Sequence, residues 1–348
     1  MYNKVSTAPF TDFTRSTSLR TFLYWAALFP QIAMLAITGS WKSLVIIAAA
    51  ILGTALSQLN GFFERQNLRM NVAYSLLAGS LVGFFLPPDY PPASVFFITF
   101  IFMFVTRSVF GPPGVSWLNP VAITVTAAWF IGRVSFGSFF ISGADLMAKN
   151  PSMALIDGAM LTNGIDEKIT LFMNDTVFRL FNVSIPNGYV SLFWDNHAAI
   201  PAFRFTFLTL LSSLFFFAFD FKKPEISLSF MLVYMALVKF VSPFFTGAAP
   251  MGGDALLALL SGGVLFTAVF VLQWPGTIPS TLQGKCLHIL FCGIFAFVFC
   301  GAGTSPVGAM VTVVFANLIS PALQIIENRS IRKKLASLLD EKLGERQQ

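Results

Sequence analysis

The chain has three thiols, Cys286, Cys292 and Cys300, all on one apolar segment at spacings of 6 and 8. On a helix, Cys286 and Cys300 stand about 21 Å apart. One metal ion cannot gather all three within that segment, and they read as small free hydrophobes. His197 and His288 are isolated and join no ligand cluster. The sequence has no Walker loop, no GxGxxG behind a strand, no cysteine cluster and no histidine-containing triad. What remains is a set of carboxylates, arginines and one tryptophan at the edges of apolar runs. Asp254, in "MGGDALLALLSG", either caps a helix or contributes to an ion entrance; Asp89, in "PPDYPP", reads as a turn residue. Asn119 and Pro120 pair a good N-cap with a good first helical residue. Arg133 and Arg204 bracket a long polar segment. Arginine grips phosphate well, and its long stem also snorkels at a membrane boundary. Trp274, in "LQWPGT", stands where an interfacial belt tryptophan would.

The surroundings of these residues are apolar. Of 348 residues, 55% are hydrophobic and 11% charged, and 41 are phenylalanine. A soluble domain carries about 25% charged residues, so this chain has too few charges to cover a water-exposed sphere and reads as a polytopic membrane protein. The first twenty residues are polar, with Lys4, Arg15 and Arg20, and the apolar run behind them is long and lacks a cleavage site. It reads as a first span that stays in the membrane. A net charge of +6 is modest and reflects uneven loops; nothing in it points to nucleic acid.

Measured against the roughly 20 apolar residues that a span requires, the sequence predicts about ten transmembrane helices. They cover approximately 21–38, 41–58, 72–88, 92–110, 119–141, 202–220, 226–246, 254–273, 286–302 and 306–325. With residues 1–20 inside, seven of the 22 lysines and arginines fall outside: Lys42, Arg133, Lys149, Lys168, Arg179, Arg204 and Lys239. The other fifteen fall inside, which places both termini in the cytoplasm. The polar segment 142–200 then faces the exterior or periplasm. Residues 327–348 form a cytoplasmic tail whose Ile331, Leu335, Leu338, Leu339 and Leu343 recur at helical spacing. Ser330 is the expected cap of this short amphipathic helix and Gly344 its end.

The chain also repeats itself. "LLAGSLVGFFLPPDYPP" begins at Leu76 and "LLSGGVLFTAVFVLQWP" at Leu259, pairing Gly79 with Gly262 and Pro92 with Pro275. "NPVAITV" from Asn119 has a partner in "SPVGAMVTV" from Ser305. Two five-span copies, residues 21–141 and 201–326, follow from the pairing. Because five is odd, the second copy enters the membrane from the opposite side, as an inverted repeat. Glycine and proline at membrane depth then mark backbone that leaves the helix where protein or a cavity surrounds it.

Four stretches in order, "SLLAGSLVGFFLPPDYPP", "FGPPGVSWLNPVAI", "GGDALLALLSGGVLFTAVF" and "SPVGAMVTVVFANLISPAL", resemble the D subunit of the Rnf ion-translocating electron-transport complex, the RnfD/NqrB family. The resemblance covers roughly residues 20–328. It implies an all-α, urea-transporter-like fold of two inverted five-helix repeats in a bacterial inner membrane. It also implies partner subunits that supply the electrons and coupling to Na⁺ or H⁺ movement. The family usually carries FMN joined through its phosphate to a threonine, in an Asp-x-x-Ser/Thr-Gly-Ala-Thr motif of the outside segment. Here "ISGADLM" puts Asp145 at the acceptor position and "LIDGAMLTNG" puts Met160 there. Within the latter, Gly158 keeps the motif glycine and Thr162 is the nearest hydroxyl, two residues late. By the same resemblance Arg204 would meet the flavin phosphate and Trp274 would stack on a flavin or quinone ring. An Asp expected by the family near Trp274 is missing. The reading is a membrane protein relaying electrons through a flavin near the outer face, as one part of such a complex. The alternatives are a small-solute channel of the same fold and a scaffold subunit without flavin.

Overall fold

A computed structural model of the chain describes residues 17–58, 68–111, 116–136, 164–182, 184–185, 187–219, 221–247, 250–279 and 281–345. The described residues form helices and no strand. Four helical stretches are long and apolar enough to cross a membrane: Thr17–Ile37, Pro92–Phe110, Leu282–Cys300 and Gly308–Arg329. Trp41–Ser57, Pro120–Ile131 and Thr206–Ala218 are shorter apolar helices. Together they make an all-helical, polytopic membrane protein.

The helices are apolar on both their inner and outer faces. On the helix Pro92–Phe110, Val95, Ile98, Thr99 and Met103 face the interior, whereas Phe97, Ile101, Phe104 and Val105 are exposed. A soluble helix would put charge on that outer stripe; here the outer stripe fits hydrocarbon. Pro91 and Pro92 begin this helix and Gly111 ends it. At the start of Pro120–Ile131, Asn119 Oδ1 accepts from the amides of Val121 (2.9 Å) and Ala122 (3.3 Å), so the expected cap is present. Ser305 does related work in the second half, where its hydroxyl accepts from the Gly308 amide at 3.0 Å.

Some helix lengths recur in the two halves of the sequence. Trp41–Ser57 and Pro224–Phe240 each have 17 residues; Pro92–Phe110 and Leu282–Cys300 each have 19. Each 17-residue helix packs against the 19-residue helix of its own half. Between them in sequence comes Leu68–Phe84 in the first half, and in the second Ser242–Thr246, Ala255–Ser261, Val264–Phe266 and Thr267–Val271. The motif pairs occupy unlike places, however. Pro92 is the first residue of its helix, whereas Pro275 lies in a turn and the following helix starts only at Leu282.

The segment expected as one span over 254–273 is three pieces. Ala255–Ser261 is a short helix, Gly262 and Gly263 interrupt it, and Val264–Phe266 leads into a π-turn, Thr267–Val271. Gly263 has φ +67°, and a Cβ there would lie 2.2 Å from the Phe203 ring, so both conformation and space demand glycine. Every residue from Val264 to Leu272 is buried. Irregular backbone survives at membrane depth only when protein surrounds it, and here protein also satisfies it. Ser227 donates to the Ala268 carbonyl (2.7 Å) and Asn119 Nδ2 to the Val271 carbonyl (3.1 Å).

Three boundaries differ from expectation. The helix expected to reach 141 stops at Ile131, with a 3₁₀ turn at Arg133–Phe136 behind it. The first span bends at Ala27–Leu28, where Pro30 begins a second helix, Phe29–Ile37. The tail does not start a new helix at Ser330. Gly308–Glu345 is one helix of 38 residues that carries Pro321 inside it and runs past Gly344. The apolar periodicity of the tail is real but continues the preceding helix, because nothing between 326 and 330 breaks it.

Candidate functional site

Two cavities lie at opposite ends of the helix Thr206–Ala218. Phe207, near its start, lines one, named the outer cavity after the side expected from the loop charges; Phe216, near its end, lines the other, named the inner cavity. These two residues are nine positions apart, about 14 Å along the helix axis.

The outer cavity has a volume of about 970 Å³ and is walled by the rings of Phe178, Tyr189, Phe193, Trp194 and Phe207. Buried Asp166 holds its frame: it accepts from the amides of Gly188 and Ser191, both at 2.7 Å, and from the Thr170 hydroxyl at 3.1 Å. Asn174 clasps Ile185 through both its amide and its carbonyl, each at 2.9 Å. Tyr189 donates to Asp254 Oδ2 at 2.7 Å, while Asp254 Oδ1 caps the amide of Leu257 at 2.9 Å. Asp254 is thus the expected N-cap, and also the post to which the outer segment is tied. Asp254→Ala loses both bonds and is expected to lower stability by about 1–2 kcal/mol, measured by thermal unfolding in detergent. Asp254→Asn keeps the cap and is expected to remain within about 0.5 kcal/mol of the parent.

Arg204 is buried beside this cavity and does not snorkel. Its Nε donates to Asp195 Oδ1 at 2.8 Å, Nη2 to Oδ2 at 2.6 Å and Nη1 to the Ser40 hydroxyl at 2.9 Å. The guanidinium also lies 4.8 Å from the Phe205 ring centroid. Burial pushes the Asp195 carboxyl up, but hydrogen bonds from Arg204 and from the His197 amide, with the charges of both residues, outweigh it. The carboxyl sits below the usual aspartate range. Each of the three Arg204 guanidinium nitrogens thereby has a partner inside the protein. Among the described residues no lysine or arginine lines the outer cavity. Its walls fit a flat ring; they do not fit a phosphate.

The inner cavity, about 640 Å³, is of the opposite character. Arg20, Lys222, Lys223 and Lys285 line it, and among the described residues no carboxylate does. Trp274 lines it as well. At 5% exposure this is no belt tryptophan: its ring meets Tyr74 edge-on at 6.1 Å, and its indole N–H has no hydrogen-bond partner among the described residues. Gln273 braces the wall, exchanging bonds with the Lys223 backbone (2.9 and 2.8 Å) and donating to Ser227 at 2.8 Å. Lys222 is buried, donates to the Gln273 carbonyl at 2.6 Å and stands 5.1 Å over the Tyr24 ring. Burial, with a smaller contribution from the Arg20 charge, pulls its ammonium down to about 7.

Of the expected site residues, the two described ones, Arg204 and Trp274, are not brought together. Thr162 and Gly158 lie outside the described residues. Arg204 is bonded to Asp195, which lines the outer cavity, and Trp274 lines the inner one. Sequence reasoning missed Asp195, whose signal is a carboxylate nine residues before a buried arginine across a turn. It also missed the inner cluster, although the loop-charge count had already assigned Arg20, Lys222, Lys223 and Lys285 to one side. Among the described residues no group of three or more His, Cys, Asp or Glu is placed to hold a metal, and the three cysteines are free.

Lipid-facing helices, a broken segment sealed inside them and a cavity at each end define a polytopic membrane protein built around its interior. Within that class the chain belongs to the NQR2, RnfD, RnfE family, and the match spans residues 4–332. It is 26% identical over 364 residues to the D subunit of the ion-translocating oxidoreductase complex of Shigella boydii, covering 93% of this chain and 96% of the relative. It is also 21% identical over 254 residues to the D subunit of the proton-translocating ferredoxin:NAD(+) oxidoreductase complex of Clostridium ljungdahlii, covering 72% and 71%.

Proposed function

We propose that this chain is the D-type membrane subunit of an Rnf-type electron-transport complex that couples redox chemistry to Na⁺ or H⁺ translocation. The observation that carries this reading is the family match over nearly the whole length, residues 4–332, together with relatives named as the D subunits of such complexes. About ten membrane crossings in two inverted five-helix repeats, residues 21–141 and 201–326, place both termini on the cytoplasmic face of a bacterial inner membrane. The matching helix lengths, the like packing within each half and the paired Asn119 and Ser305 caps support the repeat.

The outer cavity is the proposed seat of an FMN ring. A bound flavin supplies one-electron and two-electron transfer between partner subunits. Tyr189, Phe193, Trp194 and Phe207 would hold such a ring by offering it aromatic surface.

The purified chain is expected to carry flavin absorbance, and Trp194→Ala is expected to lower flavin content at least threefold without unfolding the protein. Fluorescence that survives denaturation and disappears in Thr162→Ala would establish attachment there. Preparations devoid of flavin that pass small solutes across vesicle membranes would replace this reading with that of a channel.

A further inference from the structure

The inner cavity collects four cations and no balancing acid among the described residues. Arg20, Lys222, Lys223 and Lys285 come from three separate stretches of the chain, and among the described residues none forms an ion pair there. Lys222 is 5% exposed and has three N–H donors. One of them meets the Gln273 carbonyl at 2.6 Å. A buried cation without a counter-charge is costly, and burial accordingly makes the Lys222 ammonium give up its proton more readily than usual. The indole N–H of Trp274, in the same wall, is buried with no acceptor among the described residues. Unpaired donors, surplus positive charge and an aromatic wall call for an anion that carries apolar matter with it.

We propose that this cavity binds the phosphate group of an anionic ligand, with Lys222 as the deep contact, Arg20, Lys223 and Lys285 at the mouth, and Tyr74 and Trp274 against the ligand's apolar part. Phosphate of this kind comes either from an acidic phospholipid headgroup or from a soluble phosphate. The lipid source has geometry on its side. Leu19 and Phe22, beside Arg20 on the first helix, are exposed, so an acyl chain can run along that helix while the headgroup turns inward. Basic pockets at the cytoplasmic ends of membrane helices are where anionic headgroups concentrate. The site shares no lining residue with the proposed flavin seat, and its existence does not depend on the electron-transfer reading.

The test uses the full chain in detergent, titrated in parallel with phosphatidylglycerol, phosphatidylcholine and inorganic phosphate, with thermal stability and native mass spectrometry as readouts. Phosphatidylglycerol is expected to bind and stabilise, and phosphatidylcholine to do neither. Each neutralised cation is expected to weaken binding about fivefold. Lys223→Gln and Lys285→Gln, both outside the buried core, together weaken it about 25-fold. Lys239→Gln, at the other end of its helix, leaves it unchanged, and Lys223→Arg with Lys285→Arg restores it. Lys222→Met abolishes binding; should that variant not fold, the Lys223 and Lys285 pair decides alone. Stabilisation by inorganic phosphate that competes with the lipid assigns the site to soluble phosphates and supports the proposal equally. Equal effects of the two lipids with no effect of phosphate, or full binding by the double variant, overturn it.

Discussion

Arg204→Met is expected to destabilise the protein by about 3–5 kcal/mol, the range for removing one member of a buried ion pair. Arg204 and Asp195 are both under a tenth exposed and share two hydrogen bonds. Methionine keeps much of the stem's packing, so most of the loss comes from leaving the Asp195 carboxylate buried and unpaired. Adding Asp195→Asn is expected to recover most of it, since an amide carries no charge to bury. The pH dependence supplies a second readout. In the parent, Asp195 titrates below the ordinary aspartate value of 3.8. The pair's contribution is therefore complete above that value and is lost as pH falls through the lowered one. In Arg204→Met burial dominates and the carboxyl titrates higher than usual, so acidification toward about pH 4 should stabilise the variant relative to neutral pH. Denaturant unfolding of both proteins between about pH 4 and pH 7 checks the change of sign.

Gly83→Ala is expected to cost about 1–3 kcal/mol, and Gly83→Leu more, by forcing apart Trp41–Ser57 and Leu68–Phe84. A Cβ on Gly83 would lie 2.5 Å from the Ile47 Cα, and one on Gly79 would lie 2.5 Å from the Ile51 Cα. Gly79 and Gly83 are four residues apart and so face one way, the small-residue spacing that lets membrane helices touch backbone to backbone. Because the obstruction is main chain, trimming the neighbour does not remove it: Ile47→Ala is expected not to rescue Gly83→Ala. Thermal unfolding of the single and double variants in detergent tests this. Additive losses fit a backbone clash, whereas full rescue would mean that only the Ile47 side chain stood in the way.

Much of the architecture was legible because hydrocarbon imposes a crude length rule. The apolar runs at 41–58 and 92–110 became helices with nearly those ends, and the caps at Asn119 and Asp254 followed from residue type alone. The rule failed where protein replaces lipid as the surroundings. Apolar residues from Val264 to Leu272 look like part of a span, yet burial on every side permits a break and a π-turn that composition does not reveal. It failed likewise at Arg204 and Trp274, whose types suit a membrane edge. Only tertiary neighbours, Asp195 nine residues upstream and Tyr74 two hundred residues away, show that each is interior. The basic inner cavity was hidden because its cations are scattered along the sequence and meet only when the helix ends converge.

The sealed segment also constrains how the protein is made. The run from Val264 to Leu272, preceded by two glycines, is too short to partition stably into bilayer unaided. The side chains that complete its main-chain bonding, Asn119 and Ser227, both precede it in the chain. Vectorial synthesis therefore delivers the receptacle before the insert. Ribosomal order and native packing agree, and a circular permutation that emitted residues 255–275 first would present the translocon with a fragment that has nowhere to go.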